Sequence, residues 1–289
     1  MTNRRNIRLV LSYDGTGLGG WQRQSNARSV QEELEAALAT MHGHPVPTIG
    51  AGRTDAGVHA LGQVANFYTD IASIPAHRFV PALNSLMSED VRVLKASDAD
   101  WDFHSRYDAR LRRYRYFAVC GGPADPFRLR YAHQLGRRPD LVALNAMAAL
   151  ILGENDFTAF SAAGDASENR SRFVHESSFR WEADQLVYEV AANAFLWRMV
   201  RSLVGSMLFF EEEARRAHGE ELGARRAQAT ERMRSALSSR DRRLAGPTAP
   251  ARGLFLWNVE YYPSPTRPGR GDYWAEREAP GGVKTASKD

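Results

Sequence analysis

The 289-residue sequence predicts an α+β fold in two halves of similar element order. Three observations carry this. Segments of period two alternate with segments of helical period through the first hundred residues. A similar plan of strands and helices recurs loosely from Arg112 onward, which reads as an internal duplication without a clear sequence repeat. Finally, 43% of the residues are hydrophobic, enough for a real core, yet no apolar run reaches the roughly eighteen residues of a transmembrane helix.

The elements follow in order. "NIRLVLSY" alternates Ile7, Leu9 and Leu11 with Arg8, Val10 and Ser12, a strand closed by Asp14-Gly15. "RSVQEELEAALATMHG" is a helix: Ser29 and Glu32 form a capping box, Val30, Leu34, Leu38 and Met41 make the apolar stripe, and Gly43 stops it. After a glycine-rich loop come a strand (62–69), a short helix (75–87) and a strand (91–97). In the second half, 112–120 reads as a strand and 139–156 as a helix capped by Asp140 and stopped by Gly153. A hairpin (177–192) turns near Asp184-Gln185. A long helix (193–219) and a shorter one (230–240) lead into the Pro/Ala-rich linker "AGPTAPARG" and a closing strand (253–262). The tail from Pro263, rich in Gly, Pro and charge, is expected to be disordered.

The N-terminus lacks the apolar stretch and cleavage site of a signal peptide, and Cys120 is the only cysteine, so a reduced cytoplasmic setting is expected. Disulfides within the chain and cysteine-rich zinc sites are excluded, and the eight histidines show no ligand-like spacing. Net charge is +4, but between Phe103 and Arg138 nine arginines face two aspartates. That excess reads either as a solvated face balanced from elsewhere or as a footprint for phosphates.

Three segments could carry chemistry. In "GAGRTDAGVH" (50–59), Asp55 sits among glycines without the lysine and hydroxyl of a phosphate-binding P-loop or the ligands of an EF-hand. It is either a turn residue accepting its own backbone N–H groups, or, with Arg53 two residues upstream, an ionised nucleophile. In "LRRYRYF", Arg112, Tyr114 and Tyr116 share one strand face, as a nucleic-acid reader or as core packing. "DFHSRY" adds Phe103, His104, Ser105, Arg106 and Tyr107. In "NAFLWRMVRSLVG", Arg198 and Arg201 lie on a helix whose other face is apolar, either solvated or turned toward a carboxylate.

Taken together, "YDGTGLGGWQRQ" (13–24), "RSVQEELEAAL" (28–38), "AGRTDAGVHALGQVANF" (51–67), "DFHSRYDARLRRYRY" (102–116), "ILGENDFTAF" (151–160), "NAFLWRMVRSLVG" (193–205) and "APARGLFLWNVEYY" (249–262) resemble the TruA-type tRNA pseudouridine synthases. The resemblance implies two α+β halves of RRM or ferredoxin-like type, 1–105 with the aspartate loop and 106–262 with the tyrosine strand and arginine helix. Their antiparallel sheets would join into one extended sheet with the active-site cleft between the halves, and 263–289 would form the tail. It further implies isomerisation of uridine to pseudouridine at positions 38 to 40 of the tRNA anticodon stem-loop, by a cytoplasmic homodimer with no cofactor and no metal. Asp55 takes the family nucleophile's place, Tyr114 the base-contacting tyrosine, Arg201 the arginine paired with the aspartate, and Arg53 the arginine that assists extrusion of the flipped nucleotide. Phe103, His104, Ser105, Arg106, Tyr107 and Arg112 fall in the RNA-binding segments.

The match departs from the family in three places. Where members carry a Ser-Arg-Thr loop, this chain has "SAAGDASENRSRF", with Arg170 or Arg172 for the role. It has Leu-Trp-Arg (196–198) where members often show a histidine. The stretch 211–232 is longer and more charged, and reads as a surface insertion. Two other functions fit parts of the sequence. A catalytically silent RNA-binding protein would need one of Asp55, Tyr114 or Arg201 to be missing. A hydrolase using Asp55 would leave the arginine-and-tyrosine strand unexplained and has no second acidic motif for magnesium.

Overall fold

The alternation read in the sequence becomes one mixed sheet of ten strands, mostly antiparallel, with helices packed against it. The structure, a computed structural model, describes residues 4–219 and 221–261. The tail from Pro263, expected to be disordered, lies outside the described residues.

β1 (Arg5–Tyr13) buries Ile7, Leu9 and Leu11 completely, as its period requires. α1 (Val30–His42) starts where the Ser29 hydroxyl accepts from Glu32 N at 3.4 Å and ends at Gly43, whose φ of 72° suits glycine. Its stripe of Val30, Leu34 and Leu38 is fully buried. The short β2 (Ile49–Gly50) then pairs with β3 (His59–Thr69), and α2 (Phe79–Asn84) precedes β4 (Val91–Ala99).

β5 (Ala109–Cys120) begins three residues before its expected start and is followed by α3 (Pro126–Tyr131) and β6 (His133–Leu135). α4 (Leu141–Ala149) is capped by the Asp140 carboxylate, as expected. It stops before Gly153, because 153–156 forms β7 (Gly153–Asp156) against β8 (Ser171–Glu182). The turn into β9 (Gln185–Ala192) lies on Ala183 and Asp184, one residue earlier than expected. α5 (Met199–His218), α6 (Leu222–Ser239) and β10 (Leu254–Tyr261) complete the chain.

Three expectations need correction. The shorter helix starts at Leu222, not Thr230. The long helix starts at Met199, not Asn193. The Asn193 side chain accepts the N–H groups of Phe173 and Ala194, and the Asp165 carboxylate accepts that of Trp197. Side chains thus satisfy a non-helical backbone, which competes with helix. The stretch 211–232 does not lie only on the surface. α5 and α6 pack together, with Glu211, Ala214, Arg225, Ala229 and Met233 buried.

The strand order is β4, β1, β3, β10, β5, β9, β8, β7. In each half the last strand lies beside the first, and the first beside the middle one: β4–β1–β3 and β10–β5–β9. The duplication that the sequence hinted at is therefore visible as topology. The halves meet where β10 pairs in parallel with β3, Phe255 opposite His59 and Leu256 opposite Ala60. One apolar core runs beneath both, from Leu34, Phe67 and Phe79 to Leu144, Val190, Leu203 and Phe210.

Candidate active site

The loop entering β3 is tied down along its whole length. Ala51 N donates to Val64 O at 2.8 Å, and Gln63 Nε2 donates to Gly52 O at 2.9 Å. Thr54 O accepts from Trp21 N at 3.2 Å. Val58 N closes a turn onto Asp55 O at 3.1 Å, with Gly57 at φ 77° in its third position. The backbone of "YDGTGLGGW" forms the wall behind this loop. A Cβ on Gly20, itself at φ 101°, would stand 2.3 Å from Thr54 O, and one on Gly15 would stand 2.2 Å from Val58 O. Asp55 is therefore a turn residue by its carbonyl, while its side chain is left to do something else.

That side chain meets Arg201. Arg201 Nη1 donates to Asp55 Oδ2 at 2.8 Å, and the two side chains are only 15% and 16% exposed. Arg201 lies in the first turn of α5, and its own aim is set by the linker. Its Nε donates to Ala249 O at 2.8 Å, while Ala249 N donates back to Arg201 O at 3.0 Å. The helix comes this close because position 205 is glycine: a Cβ there would lie 1.9 Å from Pro247 O. The stretch 247–251, read from sequence as a linker, is thus part of the site. The signal for it was present in the helix-interior Gly205 and the Pro-Ala run, since such a glycine usually marks a close approach.

Tyr114 stands on β5, 7% exposed, with its ring edge-on to Phe195 at 5.1 Å. Burial pushes its phenol far above the ordinary range, and neighbouring Tyr13 and the Asp55 charge push the same way. Tyr13, hydrogen-bonded to Thr54 Oγ1 at 2.9 Å, is pushed up to about 12, again by burial. Tyr116 bonds Pro250 O at 3.1 Å and is raised by burial too. These phenols stay protonated at neutral pH, so they offer rings and donors rather than phenolate bases.

The other residues singled out from sequence divide in two. Arg53 is exposed on the Asp55 loop, and no hydrogen bond or ion pair with the described residues holds it. Arg106 and Tyr107 are exposed, and the His104 ring stacks on Tyr107 at 4.2 Å. Phe103 is half-buried, 5.2 Å from the Tyr261 ring. Ser105, by contrast, is fully buried, its N–H and hydroxyl both bonded to Asn66 Oδ1. Arg112 is buried as well, its guanidinium surrounded by backbone carbonyls. In the 161–172 loop, Arg170 bonds Ser161 Oγ and Asp165 O, and Arg172 bonds the carbonyls of Asn169 and Ser171.

The arginine excess of 103–138 is largely neutralised by carboxylates from elsewhere. Arg113 pairs with Glu176 and Glu189, Arg115 with Glu189, Arg128 with Asp184, Arg130 with Asp14 and Arg137 with Glu211 and Glu212. The blander of the two charge readings holds for these five. Among the described residues, no group of three His, Cys, Asp or Glu is placed to hold a metal ion, and no helix is long and apolar enough to cross a membrane.

A family model described as tRNA pseudouridine synthase matches residues 10–108 and 147–262. The chain is 46% identical over 264 residues to the tRNA pseudouridine synthase A of Treponema denticola, covering 90% of this chain and 94% of that protein. It is 37% identical over 257 residues to the tRNA pseudouridine synthase A of Bacillus subtilis, covering 88% and 98%. Matches of this length and identity, on a chain whose aspartate loop and arginine helix meet in the Asp55–Arg201 pair, show that it belongs to the tRNA pseudouridine synthase family.

Proposed function

We propose that the protein isomerises uridine to pseudouridine at positions 38 to 40 of the tRNA anticodon stem-loop, with Asp55 as the nucleophile. The observation that carries this reading is the Asp55–Arg201 ion pair, 2.8 Å long and mostly buried, beside the Tyr114 ring. The reaction breaks the C1′–N1 bond, turns the uracil and forms a C1′–C5 bond. C5 gives up its proton and N1 takes one, so composition and oxidation state are unchanged. Such a reaction needs a charged nucleophile held in one orientation, a water-poor pocket and a ring to hold the detached base. Arg201 holds the carboxylate through one N–H while Ala249 O fixes the guanidinium through another. Tyr114 serves as the stacking ring and hydrogen-bond donor to the base.

The target must leave its stem, at a cost of a few kcal/mol. Arg53, exposed beside Asp55, fills the space it leaves. His104, Arg106 and Tyr107 contact the RNA with ring and cation. Two copies of the chain act together, each tRNA touching both, in the cytoplasm. Within each copy, 1–105 supplies the aspartate loop and 106–262 the tyrosine strand and arginine helix.

The test is tritium release from tRNA labelled at uridine C5. Asp55→Asn should bind tRNA and release none, and Tyr114→Phe should bind while turning over more slowly than wild type. Release by Asp55→Asn near the wild-type rate would remove Asp55 from the mechanism.

A further inference from the structure

We propose that Arg112 is the positioning residue that sets the geometry of the Asp55 centre, and that it is not a phosphate contact. The inference rests on the reading of Asp55 above. Arg112 is 9% exposed, on the strand face that carries Tyr114 two residues later. Its guanidinium makes five hydrogen bonds to four backbone carbonyls. Nε and Nη2 donate to Ala51 O at 3.3 and 2.9 Å, and Nη2 also donates to Arg106 O at 2.5 Å. Nη1 donates to Asn193 O at 2.5 Å and Ala109 O at 3.0 Å.

These carbonyls belong to separate parts of the site. Ala51 opens the loop that carries Arg53 and Asp55. Arg106 lies in the exposed ring-and-cation loop between β4 and β5. Asn193 opens the segment that leads through Phe195, the neighbour of the Tyr114 ring, to Arg201 in α5. A single planar cation therefore ties the neighbouring 104–108 loop, at |i−j| of 6, to two loops far from it in sequence, at |i−j| of 61 and 81. A buried cation is tolerated only when its donors are satisfied, and here they are satisfied by carbonyls. A phosphate oxygen could bind only by displacing one of the loops.

The guanidinium is what makes this possible. Its donors radiate in one rigid plane, whereas a lysine ammonium has three donors on a single point. Arg112→Lys keeps the charge but cannot span three loops, so Asp55 and Arg201 would lose their fixed separation. A displacement of about 1 Å in such a centre can cost about 10²-fold in rate.

The experiment uses the full-length chain and an unmodified tRNA transcript, measuring kcat, tRNA Kd and the salt dependence of Kd. Arg112→Lys should lower kcat about 10²-fold with a much smaller change in Kd and an unchanged salt slope, since it loosens the Arg106 loop without removing a phosphate contact, and the exposed Arg106→Ala should weaken binding and reduce the slope. A weaker Kd with a salt slope reduced by about one, at unchanged kcat, would make Arg112 a phosphate contact and overturn the proposal. Wild-type kinetics would overturn it as well. Should Arg112→Lys fail to fold, hydrogen exchange of the wild-type protein decides. Amides in 51–57, 104–108 and 193–197 should open together with one denaturant dependence, and independent openings would count against a shared clamp. Asp55→Asn, run beside these, separates the two readings. Turnover by Asp55→Asn removes the reading of the centre, while a silent Asp55→Asn beside a fully active Arg112→Lys removes only the role of Arg112.

Discussion

Asp55 shows how one residue serves both readings that its sequence allowed. Its carbonyl closes the Asp55–Val58 turn, and its carboxylate goes to Arg201. Arg201 in turn depends on two differently placed N–H groups, Nη1 on the carboxylate and Nε on Ala249 O. A lysine can satisfy only one of these directions well. Arg201→Lys should therefore fold, leave tRNA binding near wild type and lower kcat by about 10- to 100-fold, which corresponds to about 1.4–3 kcal/mol of lost transition-state stabilisation. Single-turnover rates on saturating tRNA would check it, and an unchanged rate would show that charge alone suffices at this position.

At the scale of the element, α5 is the piece whose placement matters most. Its start is not legible in hydrophobic period, because a loop whose backbone is satisfied by the Asn193 and Asp165 side chains leaves no trace there. Its docking depends on Gly205 and Gly246 meeting across the linker, where a Cβ on Gly246 would stand 2.7 Å from Ser206 Cα. Replacing a helix glycine by alanine normally stabilises by about 1 kcal/mol. At Gly205 the added methyl would overlap Pro247 O, and overpacking costs about 1–3 kcal/mol. Gly205→Ala should thus lower the thermal midpoint and also reduce turnover, because the linker it displaces carries the Ala249 carbonyl that aims Arg201. A midpoint raised by the substitution would mean that the linker yields freely.

For the molecule as a whole, the two halves are joined behind the site by charge as well as by the β3–β10 pairing. Asp14, 18% exposed, accepts from Arg130 and from the Tyr131 hydroxyl across the junction. Burial alone would raise its carboxyl. The hydrogen bonds from the Thr16 side chain and backbone and from Tyr131, with the nearby His59, outweigh that and bring it down to about 2 from 3.8. A depressed carboxyl stabilises the fold fully above its ordinary value, and that contribution is lost as pH falls through the folded value. The shift is worth about 2 kcal/mol. Burial also keeps His59 and His133 below the usual 6.5, so they resist protonation and stability begins to fall once pH drops below that value. Urea unfolding from pH 8 to 2 should show a first loss below about 6.5 and a second between about 4 and 2. Asp14→Asn should remove part of the second, because Asp140, Asp156, Asp165, Glu189 and Glu212 are also held below their ordinary values and contribute in the same window. A flat profile across the lower window would exclude Asp14 as its source.

The sequence by itself determined most of the elements and the family resemblance. Period-two burial at Ile7, Leu9 and Leu11, the Ser29 and Asp140 caps and the Gly43 stop are local, fixed by neighbours within a strand or a helical turn. The glycines of "YDGTGLGGW" and "GAGRTDAG" were equally legible as residues, though not as two sides of one wall. Only the tertiary structure decided which arginines remain for a ligand. Arg113 and Arg115 alternate with Tyr114 in the chain, yet they are held by Glu189 more than seventy residues away, at |i−j| of 76 and 74. Arg112, which its strand face alone leaves as an RNA contact or a core residue, is buried among three loops. Asp55 and Arg201 meet across 146 residues. Such pairings follow from the order of strands in the sheet, and a side chain's period within its own element carries no information about which distant element will lie beside it.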